Sequence, residues 1–295
     1  MRKIIILTLL ALWTFSCQKE TDCNYIDNYY QTVYLAEEAY HKKDFERVVA
    51  LMAKAEANCE LLNQPIIYET LKYAESAARL GKNKKAFELI RNLILKGDKI
   101  TYLKDIDAFQ NIVNTNQWLE LEKDYDSLRN EYLSSINLEL REKIREMSRL
   151  DQIYNNPKID GIKLSDSMDA INEKELKQII AEFGYPNESL IGDFKIDFTP
   201  VGIGTMLFHF DDYDYWTTTL KEFIKKGKAP PISLGNYVDS YQRRVPQKEK
   251  YIYGIYNNAS EKNIIEYDKL DERRIAIGLP SMKLKKTLDS LRNIQ

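Results

Sequence analysis

Through most of the N-terminal half, apolar residues recur at intervals of three and four, the spacing that places them on one face of a helix. One such stripe covers residues 26–40 and a second covers residues 45–59, with a polar segment between them that contains Asp44. Asp44 is a suitable N-cap, so the two segments should pair as an antiparallel hairpin. A second pair of stripes turns at Gly81. The turns at Lys43 and Gly81 lie roughly 38 residues apart, near the period of helical-hairpin repeats, which are predicted over residues 25–135.

The small residues Ala78 and Ala86, on either side of the Gly81 turn, resemble the tetratricopeptide repeat. A third, shorter stripe over residues 102–125 would complete the stack. The resemblance implies a concave face that binds a peptide or a partner protein. The same stripes are also what the core of a helical stack requires, so the spacing alone does not separate a binding face from a core.

The C-terminal half, residues 136–295, is predicted to form a helical domain. Thr199 and Pro200 indicate a helix start, and the apolar residues 201–210 that follow would form a buried central helix. The one β signal lies in residues 251–256 and 263–267, which predict a small hairpin. The predicted fold class is therefore mainly α, with N-terminal antiparallel helical-hairpin repeats followed by a helical domain that contains one small β-hairpin.

Residues 1–16 have the order of a secretory signal peptide: two positive residues, an apolar run and the small residue Ser16. The apolar run of about 12 residues is shorter than the ~20 that a membrane-spanning helix needs. Residues 14–17, Thr-Phe-Ser-Cys, resemble the lipobox of bacterial lipoproteins. The resemblance implies that Cys17 carries a lipid and that residues 17–24 form a lipidated tether.

Residues 17–20, Cys-Gln-Lys-Glu, also resemble the export signal of Bacteroidota lipoproteins. This resemblance implies an exported outer membrane lipoprotein, at the cell surface or on the periplasmic face. Disulfides persist in such compartments, which makes Cys23 and Cys59 a candidate pair. In a hairpin that turns near Lys43, Cys23 lies on one arm and Cys59 on the other, at similar distances from the turn. At about 1.5 Å per residue, the two cysteines then differ by only ~6 Å in height.

The charge and residue content argue against several classes of function. Lys and Arg total 43 and Asp and Glu total 45; loss of Arg2 and Lys3 with the signal peptide leaves 41 against 45, a net charge of −4. Such a charge gives no reason to expect nucleic acid as a partner. The chain has two histidines, no paired cysteines in its C-terminal half and no EF-hand spacing after Asp211. With no phosphate loop or nucleophile elbow either, no metal or cofactor is predicted.

Short blocks over residues 139–279 resemble, in order, the bacterial domain of unknown function 6624. They are Asp-Gln at 151–152, Gly-Tyr-Pro at 184–186, Ser-Leu-Ile-Gly at 189–192, His-Phe-Asp at 209–211, Asp239, Tyr-Gly at 253–254 and Arg-Arg-Ile-Ala-Ile-Gly-Leu at 273–279. The chain departs from the family at Phe208, Ser240 and residues 255–256, where the family has Gln, Arg and Thr-Gln. The resemblance brings no known activity, but it implies that five polar residues gather: Asp151, Gln152, His209, Asp211 and Asp239.

Two interpretations of these residues remain open. A histidine beside carboxylates can act in general acid–base catalysis, so one hypothesis is a hydrolase-like enzyme that uses His209 with Asp151 or Asp239. The other is a buried hydrogen-bonded network that closes the core. The departures from the family pattern favour the network, and with it a lipoprotein that acts in binding or assembly. Both hypotheses predict that Asp151 and His209 approach one another, although they lie far apart in the sequence.

Overall fold

The computed structural model describes residues 23–155, 162–245, 250–256 and 259–293, with only the backbone described at 162–165. The predicted signal peptide, Cys17 and the tether up to residue 22 lie outside these ranges. The described chain is mainly helical, as the apolar stripes predict. None of its helices combines the length and the apolar character needed to cross a bilayer.

The N-terminal half is a stack of antiparallel helices. They are α1 (Tyr25–Asn28), α2 (Tyr30–His41), α3 (Phe45–Asn58), α4 (Glu69–Arg79), α5 (Asn83–Leu95), α6 (Ile100–Lys104) and α7 (Asn116–Ser135). Helices α2 and α3 form the first predicted hairpin, α4 and α5 form the second, and α7 packs on α5. Asp44 caps α3 by accepting the N–H of Arg47, as its position before the stripe predicts.

The C-terminal half contributes a second set of helices. They are α8 (Leu138–Tyr154), α9 (Ile162–Phe183), α10 (Glu188–Ile191), α11 (Tyr213–Lys225), α12 (Pro231–Arg244), α13 (Leu270–Ile275) and α14 (Met282–Arg292). Helix α8 packs on α9 and α11 packs on α12. Helix α14 returns to the beginning of the chain and packs on α2, while α1 packs on α11.

The predicted central helix over residues 201–210 is wrong. Only Met206–His209 is helical there, as a single 3-10 turn. Gly202 and Gly204 lie in the preceding segment, and each glycine costs a helix interior about 1 kcal/mol relative to alanine. The apolar side chains of this segment are nevertheless buried, including Ile203, Met206, Leu207 and Phe210.

The predicted β-hairpin is also wrong. Within the described parts of residues 251–267, the sole β interaction is an isolated parallel bridge between Tyr251 and Ile264. The reason is a competing acceptor: the carboxylate of Asp239 accepts the backbone N–H groups of Ile252, Tyr253 and Ile255 at 2.8–2.9 Å. Backbone N–H groups that donate to a side chain cannot also form the inter-strand hydrogen bonds of a hairpin.

One continuous apolar core joins the two halves, and it extends from Tyr25 in α1 to Leu288 in α14. Polar contacts reinforce this junction. The hydroxyl of Tyr30 lies 3.2 and 3.3 Å from the carbonyl oxygens of Ile224 and Ala229, and the side-chain amide of Gln31 donates to the carbonyl of Leu279 at 2.9 Å. The first hairpin therefore carries the C-terminal half on one of its faces.

Candidate functional site

Two carboxylates from different helices meet at the end of α8. Asp151, in the last turn of α8, is fully buried, and it accepts the side-chain amide of Gln152 at 2.7 Å. The amide of Asn155 donates to Asp151 at 3.2 Å and to Asp169, on α9, at 3.0 Å. One amide group thus bridges the two acids. We call these four residues, together with His209, the acid cluster.

His209 ends the 3-10 turn, and its imidazole lies within electrostatic reach of both acids. Burial raises the pKa of Asp151 and the pKa of Asp169, while a positive charge on His209 and the donated amide hydrogen bonds oppose that rise. The structure therefore hydrogen-bonds Asp151 to Gln152 and adds Asn155 and Asp169, while a direct approach of His209 to Asp151 stays a prediction. In the sequence, the pattern at residues 155–157 indicates only the end of a helix.

The backbone around His209 is fixed from α12. Arg244 donates to the carbonyl oxygens of His209 and Phe210 at 3.2 and 2.6 Å, and Ser240 donates to the carbonyl of Phe208 at 3.3 Å. The backbone that carries the imidazole therefore has a defined position relative to α12. Burial thus makes both acids of the cluster, Asp151 and Asp169, hold a proton more readily than an exposed carboxyl group does.

The other two predicted residues have different roles. Asp211 forms an ion pair with Arg244 at 2.8 Å, and its side chain is 82% exposed. Asp239 is fully buried, and both of its carboxylate oxygens accept backbone N–H groups of residues 252–255. Both carboxylate oxygens of Asp239 are thus engaged with the backbone of this loop.

In the ranges that the structure describes, no group of three or more His, Cys, Asp or Glu side chains is arranged to hold a metal ion. Two concavities lie in the N-terminal half, one beside the Gly81 turn and one between α2, α3 and α4. Asp151 itself is closed off from solvent.

The cysteines of the first hairpin lie together. Cys23 precedes α1, Cys59 follows α3, and the structure joins them in a disulfide with their Cα atoms 5.5 Å apart. This bond ties the start of the described chain to the end of the first hairpin.

A second site, for which the sequence pattern offers no signal, is the loop over residues 193–199. Arg141 on α8 is 1% exposed, and its guanidinium donates to the carbonyl oxygens of Ile191, Gly192 and Thr199 and to the carboxylate of Asp197. The loop presents Phe194 and Phe198 to solvent, 41% and 69% exposed. We call residues 193–199 the phenylalanine loop.

The phenylalanine loop is also attached to the repeats. Lys195 pairs with the buried Asp98 at 2.6 Å, and the ammonium of Lys99 lies 4.3 Å from the ring centre of Phe198. Phe198 has φ = 59°, in the left-handed region that non-glycine residues rarely adopt. Nearby, burial and the acidic neighbours of Glu188, Asp193 first, raise its pKa to about 8.

Comparison with known proteins adds no further residue to these two sites. No family model matches the sequence, and no curated protein and no solved structure matches it. The function is therefore inferred from the side chains described above.

Proposed function

We propose that this protein is a membrane-anchored lipoprotein, held through a lipid at Cys17, that acts in binding or assembly. The observation that carries the proposal is the phenylalanine loop, in which a buried arginine holds the backbone that presents two exposed aromatic side chains. Rigid aromatic side chains are typical of the residues that dominate binding energy at protein interfaces. A partner protein is therefore the expected ligand of this loop.

The backbone of the phenylalanine loop is strained at Phe198, and the stability of the fold does not explain that strain. Left-handed backbone at a non-glycine residue costs of order 1–3 kcal/mol, and such strain is concentrated at functional positions. Phe198 carries this strain while its ring is 69% exposed, so burial of the ring does not offset the cost. The four hydrogen-bond acceptors of Arg141 hold the loop in this conformation.

The repeats support the loop from the other side. Asp98 lies between α5 and α6, and its pair with Lys195 connects the second hairpin to the loop. In this proposal the helical repeats act as a scaffold that orients the C-terminal half. The resemblance to tetratricopeptide repeats then has two explanations, a scaffold for the C-terminal half and a surface that binds a partner.

A site-specific cross-linking experiment tests the loop. A photoreactive phenylalanine analogue replaces Phe198 in the full chain in its native cells, and the matched control carries it at Leu119 on α7, which is 49% exposed. We expect a discrete adduct from position 198 that the Phe194→Ala substitution weakens, and no such adduct from position 119. Equal labelling at both positions, or none at 198, would contradict the proposal.

A second candidate function is a hydrolase-like enzyme that uses His209 with Asp151. It is favoured by one observation: the charge of His209 acts on two acids, Asp151 and Asp169, whose pKa values are both raised by burial. His209→Gln separates the candidates, with Asp211→Asn as the exposed control. A folded, equally stable variant that loses an activity supports catalysis, whereas a less stable variant supports the buried network.

The anchor has its own test. Cys17→Ser should release the protein from the membrane fraction, because the apolar run before it is too short to span a bilayer. Membrane retention equal to that of the wild type would count against lipidation at Cys17.

A further inference from the structure

The turn between α11 and α12 places three lysines at the point where the described chain begins. Lys225, Lys226 and Lys228 surround Gly227, and all three lysines are exposed. Gly227 has φ = 69° and packs on the ring of Tyr25, so closely that a Cβ atom there would lie 2.7 Å from the ring. We call residues 225–228 the lysine turn.

The lysine turn is held rigidly against the first helices. The hydroxyl of Tyr30 contacts the carbonyl oxygens of Ile224 and Ala229, one on each side of the turn. The side-chain amide of Asn187 donates to the carbonyl of Lys228 at 3.1 Å. The three positive charges therefore stay beside Tyr25, which closely follows the disulfide-bonded Cys23.

Nearby acids do not neutralise these charges. Among the described residues, no ion pair involves Lys225, Lys226 or Lys228. Of the acidic side chains around Tyr25, Glu60 pairs with Lys96 at 3.0 Å. The turn is thus a patch of exposed positive charge on a chain of net negative charge.

The position of Cys23 limits how far this patch can be from a membrane. About six residues connect Cys17 to Cys23, and an extended chain spans at most about 3.5 Å per residue, so the connection reaches about 20 Å. A protein held by a lipid at Cys17 must keep its Cys23 end within that distance of the bilayer surface. The lysine turn lies at that end.

We propose that the lysine turn binds the anionic headgroups of the membrane that holds the lipid anchor. The inference rests on the proposed anchor at Cys17, which brings the turn to the bilayer. Because the mature chain is negative overall, an anionic bilayer repels much of its surface but attracts the exposed lysines of this turn, which lie at the end nearest the anchor. Binding of the turn would fix which face of the protein points away from the membrane.

Vesicle co-sedimentation of the unlipidated mature chain, Cys17→Ser, tests the inference without the anchor. The probes are phosphatidylcholine vesicles with and without phosphatidylglycerol, at low and at high salt. The test variant is K225Q/K226Q/K228Q. The control K43Q/K82Q/K84Q changes the charge equally at the other end of the hairpins, where the three lysines are also exposed.

We expect the parent to bind the anionic vesicles more tightly than the neutral ones, and salt to weaken that binding. Each lysine near an anionic surface contributes roughly fivefold in affinity, so the test variant should bind about 100-fold more weakly, while the control stays near the parent. No preference for anionic vesicles, or equal losses in test and control variants, would overturn the inference. Release of Cys17→Ser in cells tests the anchor separately, so the two failures are distinguishable.

Discussion

At the scale of single residues, Asp239 shows how one buried side chain shapes a segment that the sequence pattern misassigns. Its carboxylate accepts three backbone N–H groups, and Arg274, which is 1% exposed, donates to the carbonyl of Tyr253 in the same segment. Together these contacts supply the hydrogen bonds that a hairpin ladder would otherwise supply.

The Asp239→Ala substitution should therefore destabilise the fold strongly. Three part-buried N–H groups would lose their acceptor, at about 1 kcal/mol each, so the expected loss is about 3 kcal/mol in the free energy of unfolding. Urea unfolding measures it. Asp239→Asn keeps one acceptor oxygen and should lose less, and Asp211→Ala, at an exposed ion pair, should change stability by less than about 1 kcal/mol. Equal effects of Asp239→Ala and Asp211→Ala would refute the role of Asp239.

Glu69 gives a prediction about pH. It is fully buried at the start of α4, and burial raises its pKa from 4.5 to about 7 despite hydrogen bonds from the Gln64 N–H and the Tyr29 hydroxyl. The folded protein thus holds a proton that the unfolded chain loses near pH 4.5. The contribution of protonated Glu69 to the free energy of unfolding is fully present below pH 4.5. It falls by about 3 kcal/mol as the pH rises to 7.

Glu69→Gln, which cannot ionise, should flatten this decline in the free energy of unfolding between pH 5 and 7. Part of the decline should remain up to about pH 8, because the raised pKa of Glu188 acts in the same direction. Urea unfolding at several pH values measures both slopes. A Glu69→Gln slope equal to that of the parent would show that Glu69 does not hold the proton.

At the scale of elements, the contact between α14 and α2 closes the chain on itself. Arg292 donates from two nitrogens to the two carboxylate oxygens of Glu37, at 3.0 and 2.8 Å, and Lys72 reaches the same carboxylate at 2.9 Å. Glu37 is 2% exposed, so these charges act in a largely dry setting.

Arg292→Ala should loosen α14 without unfolding the stack. Lys72 remains on Glu37, so we expect a loss of about 2 kcal/mol rather than the full cost of an unpaired buried charge. Hydrogen exchange should show faster exchange in α14 amides than in α4 amides. Arg149→Ala, which removes an exposed pair with Glu146, is the control and should change little. Unchanged protection of α14 in Arg292→Ala would contradict the role given to the Arg292–Glu37 pair.

The disulfide is a second prediction at this scale. Thiol titration of the unreduced, denatured mature protein should find no reactive Cys23 or Cys59. The bond should contribute about 3 kcal/mol by restricting the unfolded chain. Two reactive thiols would mean that the pair is free.

How far the sequence predicts an element depends on where its determinants lie. The hairpins α2–α3 and α4–α5 follow from local signals: an apolar stripe, a cap at Asp44 and a turn at Gly81. The phenylalanine loop depends on Arg141, in a helix much earlier in the chain, and the lost β-hairpin on Asp239. Neither long-range contact produces a periodic pattern in the sequence. The acid cluster lies between these two cases. The resemblance implies three of its members, whereas Asn155 and Asp169 join it only through hydrogen bonds formed in the folded chain.

At the scale of the whole molecule, the repeats and the C-terminal half share one core. A shared core keeps the phenylalanine loop and the lysine turn in fixed positions relative to one another. An anchor at Cys17 would then orient the loop with respect to the membrane. A hinge between the halves would remove that orientation, so the account depends on their folding together.

Differential scanning calorimetry of the unlipidated mature chain tests this dependence most directly. If the halves form one unit, the protein unfolds in a single transition whose calorimetric and van't Hoff enthalpies agree. The single transition should shift as a whole in Asp239→Ala, although the substitution lies in the C-terminal half. Two resolved transitions, of which only one moves in that variant, would contradict the account.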